Sequence, residues 1–226
     1  MTKFNKLLLG AVALYAFSPL TFSNAEEGKA YISGSVGLSM PAKKFDYDAE
    51  DNNMHFDPVK LKNSMNFGAA VGYKLSDNFR TELAFNHFNN FKFHANDKKD
   101  ADTSYKQKIS STSAFINGYY DIKEINGFMP YITAGFGFSE NKAGDFIVHP
   151  NAGEPISNPK GKTQTEFGWN AGLGVAYNIN EKITLDLINY KYYDLGKLTT
   201  DKDDDGDAYG GKLKVHSLNT GIRIKF

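Results

Sequence analysis

From Ala30 onward the chain alternates apolar and polar residues with a period of two, the pattern of strands whose successive side chains leave opposite faces. A first segment sets Ile32, Val36, Leu38 and Met40 against Tyr31, Ser33, Ser35 and Ser39. A second, 65–75, sets Met65, Phe67, Val71 and Tyr73 against Asn66, Gly68, Gly72 and Lys74. The stretch 76–78 then turns the chain into Thr81, Leu83 and Phe85 against Arg80 and Glu82, which reads as a hairpin. The most regular alternation sets Phe167, Trp169, Leu173, Val175 and Tyr177 opposite Glu166, Gly168, Asn170, Gly172 and Gly174. Segments near 108–122, 130–138, 183–187 and 218–226 complete a series of eight.

The connections alternate as well. Those at 76–78, 123–129 and 178–182 are short, whereas 41–63, 94–107, 139–164 and 196–212 are long and rich in Asp, Asn, Lys, Gly and Pro. This arrangement predicts an all-β chain: an eight-stranded antiparallel up-and-down transmembrane β-barrel with four long extracellular loops, short periplasmic turns and both termini in the periplasm. A soluble barrel alternates too, but it turns its bulky residues inward. Here the polar face carries mostly Gly, Ala, Ser and Asn, so the bulky face is expected to meet outer membrane lipid. Tyr73, Phe79, Tyr120, Tyr131, Tyr177 and Phe226 at the turn end, and Phe91, Phe93, Phe138, Phe167 and Trp169 at the loop end, are expected to form two interfacial belts.

Composition narrows the picture. The 226 residues include 18 Phe, 13 Tyr and 21 Gly, a mixture suited to strands, and no Cys, so no disulfide framework exists. Lys plus Arg number 26 and so do Asp plus Glu, which removes the basic excess that nucleic acid binding requires. A mean hydropathy of -0.46 leaves no room for a bundle of membrane helices. Residues 1–25 carry Lys3 and Lys6, an apolar run over 7–17, and then Ser23, Asn24 and Ala25. They read as a signal peptide cleaved after Ala25, leaving 26–226 as the outer membrane barrel domain.

The chemistry offered by the polar face is structural. Lys74, Arg80, Lys191, Arg223 and Lys225 share it with Glu82, Asp121, Glu166 and Asp186, and an eight-stranded interior is just wide enough for side chains to fill. A paired charge network that plugs the lumen is therefore expected in preference to a solute pore. His55, His87, His94, His149 and His216 form no catalytic spacing with Ser and Asp, and no cofactor motif is present, so an enzyme is not expected. Asp201, Asp203, Asp205 and Asp207 copy the first half of a calcium loop, but Lys212 stands where the bidentate Glu belongs. They read as a solvated loop, with a weak calcium site as the only metal candidate. The closing Asn219, Gly221, Ile224 and Phe226 resemble the terminal signal by which the barrel assembly machinery selects its substrates.

The residues 77–83 (DNFRTEL), 116–121 (INGYYD), 130–137 (PYITAGFG), 190–196 (YKYYDLG) and the closing strand resemble the opacity-like, eight-stranded surface antigens of Gram-negative bacteria. Within that group the likeness is to rickettsial-type outer surface adhesins. The resemblance implies a virulence-associated protein whose loops bind host cell-surface or serum glycoproteins. A structural barrel without a dedicated ligand and a narrow channel are the alternatives. The spacing from Asp186 to Tyr190 is one residue longer than the family pattern, so a β-bulge is expected around Ile188 and Asn189.

Overall fold

The structure, a computed structural model, describes residues 29–42, 48–49, 61–96, 104–145, 147–149, 156–157, 159–202 and 209–226. Eight long strands make the wall: β1 (Ala30–Pro41), β2 (Ser64–Lys74), β3 (Phe79–Asn96), β4 (Ser104–Asp121), β5 (Phe128–Ala143), β6 (Thr163–Asn178), β7 (Ile183–Thr199) and β8 (Tyr209–Lys225). Each pairs antiparallel with its sequence neighbours, and β8 returns to β1 from Tyr31↔Lys225 to Pro41↔Val215. The sheet is closed, so every strand of the wall has a hydrogen-bonding neighbour on both sides and no edge is left open, as a spanning structure in hydrocarbon requires.

Short turns join the strands at one end. Between β4 and β5, Asn126 and Gly127 both take positive φ, 52° and 84°, while Ile125 and Phe128 exchange backbone hydrogen bonds at 2.9 and 3.0 Å. That is the two-residue hairpin turn that Asn-Gly favours, because Gly carries no Cβ penalty there. Between β6 and β7 the Asn180 side-chain oxygen accepts from the Lys182 and Ile183 amides and closes the turn. Phe226 donates its amide to the Ala30 carbonyl, which sets both ends of the described barrel at this turn end.

The loop end differs from the sequence expectation. Pairing continues to Asn96↔Ser104, Lys142↔Thr163 and Thr199↔Gly210, so much of what reads as loop at 94–107, 139–164 and 196–212 is strand. Isolated polar stretches extend a ladder whenever a neighbouring strand offers backbone partners. Strands β3 to β8 run 16 to 18 residues, whereas about 9–11 cross a bilayer. The surplus stands beyond the hydrocarbon at the loop end.

The outward face through the middle of the wall is apolar: Ile32, Phe67, Ile116, Ile132, Phe136, Leu173, Ile222 and Ile224 are all exposed. A contiguous apolar surface of this size needs lipid to cover it. Tyr73, Phe79, Tyr120, Tyr177 and Phe226 lie on this face towards the turns, and Phe138, Phe167 and Trp169 towards the loops.

Candidate functional site

The lumen has two storeys. In the one nearer the turns, Arg80 on β3 clamps Asp121 on β4, its Nε lying 3.1 Å from both carboxylate oxygens. Its Nη1 donates to Glu82 Oε1 at 3.0 Å and to the Tyr31 hydroxyl at 3.2 Å, and the guanidinium lies 3.7 Å from the centre of the Tyr119 ring. Tyr31 and Tyr119 donate to the two oxygens of Glu82, at 2.9 and 2.6 Å, and Lys191 reaches in from β7 to donate to the Tyr119 hydroxyl at 2.9 Å. Arg223 grips Asp186 separately through Nε and Nη2. Three cations thus face three carboxylates, and the charges are compensated where water is scarce.

The tyrosines find room because glycines face them. A Cβ on Gly72 would sit 2.2 Å from the Tyr31 ring, and one on Gly174 would sit 2.5 Å from that of Tyr131. The parity of the strands predicted both glycines on the polar face, although not their role as sockets. Between the charged groups a polar cavity of about 40 Å³ remains, bordered by Arg80, Tyr119, Asp186 and Lys191, enough for one or two waters.

Above this lies a polar layer. Asn170 donates to Asn117 at 2.8 Å, and Asn66 donates to Ser39 and Ser217 at 2.7 and 2.9 Å. Then the interior turns apolar: Phe88, Phe91, Ile109, Phe115, Tyr193, Leu195, Leu198, Leu213 and Val215 form one buried cluster, capped by Leu61. The expectation that bulky residues all meet lipid fails here, because this part of the wall stands beyond the hydrocarbon, where its outside is wet. In such surroundings the ordinary rule of an apolar inside applies.

Three bulges tune which side chains enter. At Asp186–Asn189 the β7–β8 register advances by one extra residue, Leu187 and Ile188 both face outward, and Asp186 and Lys191 both reach the lumen. The bulge thus falls where the sequence placed it. At Asp194–Lys197 a second shift is carried by Gly196 at φ 83°. A third, at Phe88–Phe91 opposite Ser111–Ile109, turns Asn89 and Asn90 outward together. It carries Phe91 into the apolar cluster at 0% exposure, which removes it from the loop-end belt. Tyr131, assigned to the turn-end belt, is also inside at 1%, since it shares the parity of Thr133. The side chain of Phe93 lies outside the described residues.

The remaining charged positions lie apart from this network. Lys74 pairs with Asp77 in the exposed β2–β3 turn at 3.3 Å. Lys225 is half-buried and borders the turn-end mouth with Arg223 and Asp121. Glu166 is half-buried against Gly196 and has no ion-pair partner among the described residues. Asp201 is exposed and lies 3.8 Å from Lys162, while Asp203, Asp205 and Asp207 lie outside the described residues, as does His55. His87 bonds Thr112 at 3.0 Å and His216 bonds Tyr190 at 2.6 Å, both on the outer face, with Ser217 on the lumen side. Of the closing residues, Asn219 and Gly221 face the lumen and Ile224 and Phe226 face lipid.

Known proteins share this architecture. The chain is 27% identical over 222 residues to the outer membrane protein PagN of Salmonella typhimurium, covering 90% of this chain and 91% of that one. It is 26% identical over 217 residues to a Rickettsia conorii protein named provisionally as an adhesin, covering 90% and 85% respectively, which bears out the resemblance to rickettsial surface proteins. Among solved structures, OprG, an outer membrane protein of Pseudomonas aeruginosa, superposes with a TM-score of 0.55 at 16% identity, over 88% of this chain and 98% of that one. Residues 7–226 match the family described as outer membrane protein beta-barrel domain, and with a closed eight-stranded wall, an oily exterior and a filled lumen the chain belongs to that family and resides in the bacterial outer membrane with its loops at the cell surface.

Proposed function

We propose that this chain is an adhesin whose extracellular connections bind host cell-surface or serum glycoproteins. The observation that carries the reading is the kinship, across nearly the whole chain, with rickettsial proteins given that provisional name. The filled lumen supports it: among the described residues the charge network, the asparagine layer and the phenylalanine cluster occupy the interior in turn, which favours recognition at the rim. The same filling argues against a narrow channel. His87 and His216 spend ring nitrogens on Thr112 and Tyr190, which favours a non-enzymatic reading. Grafting all four loops onto an inert barrel and measuring bacterial attachment to host cells tests the assignment. Attachment well above that of the empty barrel supports adhesion, and no gain overturns it.

Export by residues 1–25, with cleavage after Ala25, and selection by the barrel assembly machinery complete the proposal. Ile224 and Phe226 present an apolar edge on the face the machinery would meet. Amino-terminal sequencing of the assembled protein tests the first, and loss of assembled yield in Phe226→Ala tests the second. The acidic run beginning at Asp201 is read as a solvated loop tip; a calcium-dependent change in its proteolysis rate would overturn that.

A further inference from the structure

Beyond the loop-end belt the outward face changes from aromatic to basic. On β5, Phe136 and Phe138 face out, Glu140 follows half-buried on the same face opposite Thr112, and four residues beyond Phe138, about 13 Å at ~3.3 Å per residue, Lys142 is exposed. On β4 the outward series runs from Ile116 through Thr112 to Lys108 and Lys106. Lys92 on β3 stands directly opposite Lys108, and Lys142 stands opposite Ser110, one diagonal step from Lys108. Lys62, whose amide donates to the Lys92 carbonyl at 3.0 Å, joins Lys92, Lys106 and Lys108 around one open cleft. The carboxylate bordering that cleft, Asp145, accepts the Gly161 amide at 2.9 Å.

Like charges placed directly across a sheet repel and destabilise it. Elsewhere on this wall two lysines are balanced, Lys214 by Asp194 and Lys162 by Asp201. Among the described residues none of these five lysines has an ion-pair partner. Lys197 opposite Lys212 repeats the arrangement on β7 and β8. The surface is therefore built as though an anion completes it, and its position says which. It lies on the circumference of the barrel, one level above the rings that mark the hydrocarbon boundary, and it faces sideways into the headgroup layer. Lysine stems lie back along a wall easily, and the ammonium is a compact, strongly hydrated charge suited to phosphate in a wet layer.

We propose that the outward face of β3–β4–β5, through Lys62, Lys92, Lys106, Lys108 and Lys142, binds the phosphate groups of the phosphorylated glycolipid in the outer leaflet. The test uses the full barrel in neutral detergent micelles, titrated with diphosphorylated lipid A and, separately, with its dephosphorylated form. The comparison protein carries Lys92→Gln, Lys106→Gln, Lys108→Gln and Lys142→Gln. The expected result is saturable binding of diphosphorylated lipid A by the native chain, weakened about tenfold or more in the variant and abolished for both by removing the phosphates. Without lipid the variant should unfold at the same or a higher temperature, because repulsion has been relieved. Binding equal in the two proteins, or indifferent to the phosphates, overturns the proposal. Preferential binding of a sulfated polysaccharide, with lipid A failing to compete, overturns it in favour of a soluble partner. Since the loop tips are untouched in the variant, either outcome is independent of the attachment assay.

Discussion

Arg223 holds Asp186 in a two-point fork, at 3.0 and 3.1 Å, immediately before the residue at which β7 gains its extra member. The fork and the bulge depend on one another, because only the bulge lets Asp186 and Lys191, an odd number of residues apart, enter the same lumen. Deleting Ile188 leaves Asp186 and Lys191 four residues apart, so a regular ladder without the bulge keeps both charges in the lumen. That deletion should therefore leave the assembled yield close to native, whereas deleting Leu173 from the unbroken β5–β6 ladder, which turns every later side chain of that strand to the opposite face, should cut it sharply; outer membrane fractionation reads both.

Arg80 joins Glu82, Asp121 and Tyr31. Arg80→Met leaves two carboxylates facing each other without a cation and should lower stability by about 3–5 kcal/mol in urea unfolding from micelles. Adding Glu82→Gln and Asp121→Asn should recover much of that loss. A triple variant no better than the single one would mean that the guanidinium acts through its contact with the Tyr119 ring, not through its charge.

Phe91 and Phe115 both belong to the sealed apolar cluster. Either one changed to Ala should cost about 3–5 kcal/mol. The pair should also open a leak, seen as ionic current across a planar bilayer, with the native barrel expected to pass none. A silent double variant would place the seal in the charge network below.

Gly72 is the socket for the Tyr31 ring. Gly72→Val should displace that ring and cost about 1–3 kcal/mol. Coupling it with Tyr31→Ala should reduce the penalty, and thermal unfolding of the four members of this cycle measures the interaction.

The wall of this protein was readable from residues alone because lipid and lumen select opposite side chains at every second position, as at Trp169 and Asn170. The Asp186 bulge was readable for a related reason: two charges with mismatched parity demand a correction. The bulge at Asn89 and Asn90 carries no such mark, since both residues tolerate water, and so the sequence alone assigns Phe91 to the outer belt. Tyr131 shows a different gap, in which its parity pointed inward but its place near a strand end suggested a belt. The lysine face is not legible in the sequence because Lys92, Lys108 and Lys142 sit in polar stretches that only strand pairing brings together.

The reversal between the two storeys has a mechanical consequence. Near the turns the wall is greasy outside and ionic within; near the loops it is ionic outside and greasy within. A barrel built this way carries its own depth gauge. Sinking by a few residues would drown lysines in acyl chains, and rising would strand phenylalanines in water, so its height above the cell is written into the wall before any partner arrives.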